Sequence, residues 1–347
     1  MLAENGIIDV TQHIIRPYIH NTNVIQYLKN SEHAHLVVEL LSELNQRVVL
    51  YFDNHDAMEI DEKNLQACDI YFKRSFSRQY INEFHAKYAE NIFPLGLNYH
   101  VLPNKSSIID LHRNISLSRS ISSKFDNFLS YIDRRNIIKF QPRLQNIQSL
   151  PLCALKPKVL FMVAAYDPYN TPERPKAKIE ERRHNNEVRA NCVRLLRKEL
   201  GPNFYGGFVP NKYAIMKYKD VLLDNPINAK KQNYLQILSN FSICIATTGL
   251  HGSIGWKFAE YVAFSKAIVS EKIQYEIPGH FQSEHNYIEF SSPDTCVDQS
   301  IRLLTNEQLR TKLMFNNSIY YHHYVKPDSL VMNAILLALK KLRLPTG

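Results

Sequence analysis

The residues most able to do chemistry lie close together, between positions 241 and 271 of the 347-residue chain. Three of its ten glycines fall there within seven positions, at Gly249, Gly252 and Gly255. Glycine concentrated in this way indicates backbone that must pass close to another group. His251, between two of these glycines, could donate a hydrogen bond to a phosphate or a sugar, or could simply fill a turn.

The flanking residues are predicted to place this glycine loop between a strand and a helix. An apolar strand is expected at 241–246, the loop at 247–252, the helix at 253–264 and a second strand at 267–270. Amide groups converge on the N-terminus of such a helix, and the aligned peptide dipoles favour negative charge there. The sequence therefore predicts that the loop binds a phosphate, through Thr248, Gly249, His251, Gly252 and Ser253.

Two charged residues on the predicted helix suggest that the phosphate belongs to a nucleotide. Ser253, Lys257 and Glu260 recur at three- and four-residue spacing, so they share one helix face. The lysine could contact a diphosphate while the glutamate contacts ribose hydroxyls. A Lys–Glu pair on the solvated surface is the alternative.

From Glu260 onward the sequence reads EYVAFSKAIV. With the glycine loop before it, this pattern resembles the nucleotide-sugar site in the C-terminal domain of GT-B glycosyltransferases of the group 1 type. The resemblance covers Pro157 to about Lys326 and extends to the N-terminal half in architecture only. It implies that Glu260 binds the donor ribose. Many members carry another glutamate eight residues earlier, where this chain has Gly252, so retention or inversion of the anomeric centre stays open.

Composition favours an enzyme with anionic partners. The length predicts two domains, and 45% hydrophobic with 22% charged residues is typical of a globular protein. The net charge of +9 favours phosphates, acidic glycans or an anionic membrane surface. Nucleic acid is disfavoured, because no zinc-finger, RNP or basic-zipper pattern occurs.

Five scattered cysteines without a CxxC pair predict reduced thiols in a cytoplasmic protein. The N-terminus has no signal-peptide pattern, and no apolar run is long enough to cross a bilayer, so a soluble protein or one peripheral to the inner face of the membrane is expected. No histidine and cysteine set has metal-ligand spacing, so neither a bound metal nor another cofactor is expected. The absence of a P-loop and of a G-x-S-x-G elbow disfavours NTPases and hydrolases.

Alternating elements predict an α/β fold. Apolar runs at 48–52, 68–72 and 91–95 predict strands, whereas the spacing at 33–45 and 76–88 predicts helices. The fold class expected is two Rossmann-like domains facing each other across a cleft, as in GT-B enzymes.

The predicted boundaries are an acceptor-side domain at 1–150 and a nucleotide-sugar domain at 151–325. The final segment, 326–347, is expected to be a helix that packs back on the first domain. Its apolar stripe would consist of Leu330, Ile335, Leu336 and Leu339.

Charged residues follow two predicted strands of the first domain. Asp53, His55 and Asp56 come after one strand, and Lys73 and Arg74 come after the next. Ligands of parallel sheets bind beyond the carboxyl ends of the strands, so these residues are expected at the acceptor side of the cleft. One of the first three could act as the general base, although Asp and Asn also stabilise turns.

Basic residues in the second domain could neutralise the diphosphate leaving group. Arg182 and Arg183 end the densest basic cluster, 174–183, and Lys231 precedes the strand that leads to the glycine loop. A solvated basic helix end is the alternative for the arginines, and Lys231 is equally open to a structural role.

Together these features predict a glycosyltransferase that moves a sugar from a nucleotide-sugar donor to a glycan or lipid-linked saccharide in surface polysaccharide synthesis. Two alternatives stay open. One is a nucleotide-sugar epimerase or hydrolase of the same fold. The other is a glycan-binding module without catalysis.

Overall fold

The computed structural model describes residues 35–41, 46–101, 142–152 and 154–343. Its first sheet has the strand order β1-β2-β3-β4. The strands β2, β3 and β4 are parallel, and β1 runs antiparallel to β2 at the edge. They span His35–Leu41 (β1), Arg47–Asp53 (β2), Ile70–Lys73 (β3) and Ile92–Pro94 (β4).

The edge strand β1 shows that the helix predicted at 33–45 is wrong over its described part. His35 pairs with Asp53, and the register continues to Leu41 opposite Arg47. Apolar positions at Leu36, Val37 and Leu40 fit a helix, but the open edge of β2 offers backbone partners to the whole segment. Sheet pairing therefore overrides the local pattern.

Two short helices, α1 (Glu62–Ala67) and α2 (Arg78–Phe84), join the strands of this sheet. The Asp61 side chain caps α1, and the Ser77 side chain caps α2 by accepting from the Tyr80 amide. The predicted helix at 76–88 is therefore shorter than expected, because it continues only as a 3₁₀ turn at Ala86–Asn91.

The second sheet contains five parallel strands in the order β6-β5-β7-β8-β9. Because β6 and β7 lie on opposite sides of β5, the strand order reverses between β5 and β7. Their carboxyl ends border the crevice where ligands bind in sheets of this kind. They span Val159–Ala164 (β5), Phe204–Val209 (β6), Ile243–Ala246 (β7), Ala267–Glu271 (β8) and Tyr287–Phe290 (β9).

Helices cover both faces of this sheet, and each face has its own buried apolar cluster. The prediction of an α/β fold built on parallel sheets is confirmed. The helices are Lys176–Leu200 (α3), Lys212–Lys217 (α4), Lys231–Ser239 (α5), Trp256–Ala263 (α6), Pro293–Thr305 (α7) and Glu307–Tyr320 (α8).

The last helix, α9 (Pro327–Arg343), follows the second sheet in the chain but packs against the first. Ala334 and Ala338 are buried with Val48 and Leu50 of β2. The contact face differs from the predicted stripe: Leu330 and Ile335 pack inward, whereas Leu336 and Leu339 are 49% and 37% exposed. Small alanines let α9 approach the sheet closely.

None of the helices in the described ranges is long and apolar enough to cross a membrane. The cysteines that the structure describes, Cys68, Cys192, Cys244 and Cys296, are free thiols.

Candidate active site

The glycine loop connects β7 to α6 at the edge of the crevice between β5 and β7. A 3₁₀ turn occupies Leu250–Gly252, and α6 begins at Trp256 rather than at Ser253 as predicted. His251 and Gly252 adopt left-handed backbone angles, with φ of 61° and 65°. A Cβ on Gly249 would stand 2.6 Å from Ser253 Oγ, so the tight packing of the loop requires glycine there.

Several amides of this loop already donate to groups of the protein. Glu271 Oε2 accepts from the Thr248 amide at 2.6 Å and from its hydroxyl at 2.8 Å. The Gly249 amide donates to the Ser253 carbonyl at 2.7 Å, and the His251 amide donates to Glu181. The prediction of free loop amides converging on a phosphate therefore does not match this structure.

Glu260 lies on the buried side of α6 and is only 2% exposed. Its Oε1 accepts a hydrogen bond from Lys231 at the start of α5, while Oε2 is buried without a partner in the described part of the chain. Tyr234, on α5, is buried beside the same carboxylate: burial raises the pKa of its hydroxyl, and Tyr261 and Glu260 raise it further. Lys231, predicted to contact phosphate, is thus paired with the predicted ribose ligand.

Lys257, one turn before Glu260, points into the crevice. Its ammonium donates to the Met162 carbonyl of β5 and lies 4.9 Å from the Tyr234 ring centroid. Burial lowers the pKa of Lys257 to about 8; Glu260 acts to raise it, and Lys231 and Arg189 act to lower it further. The lysine is therefore held where positive charge is incompletely neutralised.

Arg189 of α3 joins the two loops that border the crevice. It is 4% exposed, and it donates to the Ala164 carbonyl at 3.0 Å, to Thr247 Oγ1 at 2.9 Å and to the Thr248 carbonyl at 2.8 Å. The sequence analysis missed this role. A signal was present in the sequence, because Asn186 and Arg189 are three residues apart and interrupt the apolar stripe of α3. In the structure both side chains are buried.

The two arginines predicted to bind the donor lie farther along the surface of α3. Arg182 donates to the Lys178 carbonyl of its own helix, and Arg183 pairs with Tyr169 and Glu180. None of their hydrogen bonds in the described ranges reaches the glycine loop.

On the acceptor side, Asp53 is at the centre of a buried network. Its Oδ2 accepts from Lys73 Nζ at 2.7 Å and from the Tyr71 hydroxyl at 2.5 Å. Its Oδ1 lies 2.8 Å from His55 Nδ1. Burial acts to raise the pKa of Asp53, but the charge and hydrogen bonds of its partners, Lys73 first, lower it overall.

Lys73 is 1% exposed, so the structure places it inside this network rather than at the open edge of the acceptor side, where it was predicted. The imidazole of His55, by contrast, is half exposed beside Asp53. Asp53 therefore holds a solvent-accessible histidine, with Nδ1 toward the carboxylate.

Arg74 connects the two halves of the protein. It pairs with Asp56 and donates to the Ile254 carbonyl at 2.7 Å, just before α6. Between the two halves lies a small pocket of about 10 Å³, lined by Arg74, Gly96, Leu97, Asn98, Ile254, Gly255, Ala259 and Ile277. Arg74 is therefore buried in the contact between the two halves rather than exposed to an acceptor as predicted.

His100, which follows β4, also contacts the second half of the chain and was not predicted. Its ring stacks on Trp256, the first residue of α6. Burial lowers the pKa of His100; Lys231 and Arg74 also lower it, and Glu260 raises it. Charged residues from both halves of the protein therefore act on the pKa of His100. No group of three or more metal-ligating side chains occurs in the described residues.

Solved structures similar to this chain include proteins described as glycosyltransferases. The C-terminal domain of a group 1 family glycosyl transferase, LpcC from Francisella tularensis, has 13% identity and a TM-score of 0.33, over 48% of this chain and 85% of that one. TarM from S. aureus, bound to UDP, has 14% identity and a TM-score of 0.37, over 77% and 50%. HepE from Anabaena, bound to UDP-glucose, has 11% identity and a TM-score of 0.36, over 82% of each chain.

The chain thus spans half the length of TarM. No protein-family model matches it, and no curated protein matches it either.

Proposed function

We propose that this protein is a glycosyltransferase that transfers a sugar from a nucleotide-sugar donor to a glycan or lipid-linked saccharide. The donor lies in the crevice between β5 and β7, and the acceptor enters from the side of Asp53 and His55. Surface polysaccharide synthesis at the cytoplasmic face of a membrane is the setting that we infer for it. No metal or other cofactor takes part.

The charges in the crevice carry this proposal. Lys231 and Lys257 stand beside one buried glutamate, with Arg189 behind them. Burying a lysine among other cations is unfavourable unless an anion offsets it. A diphosphate supplies that charge, and an anion of this kind is the leaving group of sugar transfer.

The ion pair between Lys231 and Glu260 implies a rearrangement on binding. The ribose hydroxyls can donate to Glu260 only when the ammonium of Lys231 moves away. The lysine side chain is 33% exposed, so it is free to turn toward the phosphates. Oε1 of Glu260, once released by Lys231, is then the acceptor for a ribose hydroxyl.

His55 is the group best suited to take the proton of the acceptor hydroxyl. With Nδ1 directed at Asp53, the exposed Nε2 is the free base. In the proposed step, Nε2 takes the proton, the acceptor oxygen bonds to the anomeric carbon, and the bond from that carbon to the diphosphate breaks. Asp53, ionised at neutral pH, stabilises the imidazolium that forms.

A thermal-shift screen with UDP, GDP, ADP, CMP and dTDP tests the proposal. One nucleotide should raise the melting temperature by mass action, and its sugar ester should then be consumed only when a saccharide acceptor is present. Consumption without an acceptor would instead indicate an epimerase or hydrolase. Saccharide binding that is indifferent to every nucleotide would indicate a glycan-binding module.

A further inference from the structure

The short helix α4 presents an exposed face that combines apolar and basic side chains. Lys212, Ile215 and Met216 recur at three- and four-residue spacing and share this face, Lys219 lies in the turn that follows the helix, and all four are exposed. Ile215 is 48% exposed and Met216 is 63% exposed. Lys217 is exposed beside them, and the acidic residue that follows Lys219, Asp220, is paired with Arg194.

The opposite face of α4 packs on the core of the second sheet, so the exposed apolar residues are not needed to hold the helix in place. Tyr213, Ala214 and Tyr218 are buried in the core of the second sheet. The Asn211 side chain caps the helix by accepting from the Ala214 amide at 2.8 Å. Ile215 and Met216 could therefore be polar without loss of core contacts.

Its neighbours place α4 at the same edge of the sheet as the crevice. It follows β6 at the carboxyl end, and Asn211 Nδ2 donates to the Ala165 carbonyl, in the loop after β5. The pKa of Tyr213 is raised, first by burial; among its neighbours Asp167 and Tyr169 raise it and Arg183 lowers it. Tyr169 is 57% exposed, which adds an aromatic side chain next to α4.

We infer that α4 docks this protein on an anionic lipid surface, with Ile215 and Met216 inserted among the headgroups and Lys212, Lys217 and Lys219 bound to lipid phosphates. Apolar side chains ringed by lysines are suited to such an interface, where burial and electrostatic attraction add. A second copy docked through the same face would instead place these lysines against like charges. Docking through α4 brings the crevice close to the bilayer, where a lipid-linked acceptor lies. The inference gives the proposed transferase its membrane contact, but it does not depend on sugar transfer.

Sedimentation of the full chain with vesicles tests this inference. Vesicles of phosphatidylcholine mixed with phosphatidylglycerol should bind the protein, and vesicles of phosphatidylcholine alone should not. Added salt should weaken binding, because the phosphate contacts are screened. The double variant Ile215→Glu, Met216→Glu should lose about tenfold or more in vesicle affinity.

A matched control pair lies on α8, which packs beside β8 and away from β6. Phe315 and Ile319 are 56% and 45% exposed there, so Phe315→Glu with Ile319→Glu adds the same charge without touching α4. Equal loss in both double variants would overturn the inference, as would unchanged binding by the α4 variant. If the protein pellets without vesicles and the α4 substitutions abolish that pelleting, the face mediates self-association, which would also overturn the inference.

A cooperative melting transition, measured on the same samples with and without nucleotide, checks that the α4 variant is folded. The shifts with nucleotide also separate the two proposals. Vesicle binding without any nucleotide response would retain the docking face and reject the transferase, and the reverse pattern would reject the docking face alone.

Discussion

The imidazole of His100 lies flat on the indole of Trp256, with ring centroids 3.6 Å apart and planes 12° apart. The guanidinium of Arg74 lies 5.1 Å from the centroid of the same indole. Both partners belong to the first half of the chain, whereas Trp256 begins α6 of the second. Because Trp256 is the only tryptophan, its fluorescence reports on the contact between the two halves.

Replacing His100 with alanine should expose the indole to water and shift its emission to longer wavelength. The lost ring contact should cost about 0.5–1.5 kcal/mol of unfolding free energy. Emission spectra and urea unfolding measure both effects. His184→Ala, an exposed histidine on α3, should change neither. Identical spectra for wild type and His100→Ala would show that the stack does not form in solution.

Removal of Arg189 should weaken the whole crevice, because its buried guanidinium joins the carbonyl of Ala164, at the end of β5, to that of Thr248, in the glycine loop. Arg189→Gln should cost about 2–4 kcal/mol, since hydrogen bonds from a buried cation to two backbone carbonyls and to Thr247 would be lost. Arg194→Gln is the matched control on the same helix: its pair with Asp220 is exposed and should contribute less than about 1 kcal/mol. Similar midpoints in urea for the two variants would contradict the structural role of Arg189.

Lys257 should make nucleotide binding depend on pH. Its pKa is about 8 in the free protein, and a bound diphosphate would raise it. Affinity should therefore be constant well below pH 8 and fall by up to about tenfold per pH unit above it, because binding then requires uptake of a proton. Lys257→Met should bind more weakly and show no such slope. A slope that persists in the variant would rule out Lys257 as its source.

The same lysine should also limit stability. Its pKa in the folded protein lies below the ordinary value of 10.5, so folding is penalised fully below pH 8 and the penalty fades as pH rises toward 10.5. Lys257→Met should raise the free energy of unfolding by about 1–3 kcal/mol at pH 7, and this gain should vanish near pH 10. A gain that grows with pH would contradict this account.

Breaking the Lys231–Glu260 pair from one side should leave a buried carboxylate without its cation. Lys231→Met should cost about 1–3 kcal/mol, discounted because the lysine is partly exposed. Adding Glu260→Gln should recover much of that loss. A double-mutant cycle in urea measures the coupling, and strictly additive effects would show that the two side chains do not interact.

Much of the second sheet could be predicted from sequence, because buried parallel strands such as Ile243–Ala246 are short apolar runs with clear ends. The edge strand at His35–Leu41 could not be, since a helical pattern and an exposed strand pattern fit the same leucines and valines. Pairing with a distant strand decided between them.

In the candidate site too, local spacing could be predicted from sequence and long-range contacts could not. The proximity of Lys257 and Glu260 follows from helical spacing, and the structure has it. The partners of Glu260 and of the loop amides come from α5, α3 and β8. No local sequence pattern predicts that Lys231, Glu181 or Glu271 contacts them. Contacts between residues distant in sequence required the fold.

The central claim is that a nucleoside diphosphate binds beside Lys257 and Glu260. Calorimetric titration with the nucleotide that gives the largest thermal shift, into wild type and Glu260→Gln at pH 7, tests it most directly. We predict measurable binding to the wild type and a loss of at least about tenfold in the variant, equivalent to about 1.4 kcal/mol. Equal dissociation constants for both proteins, or no binding of any nucleotide, would contradict the claim.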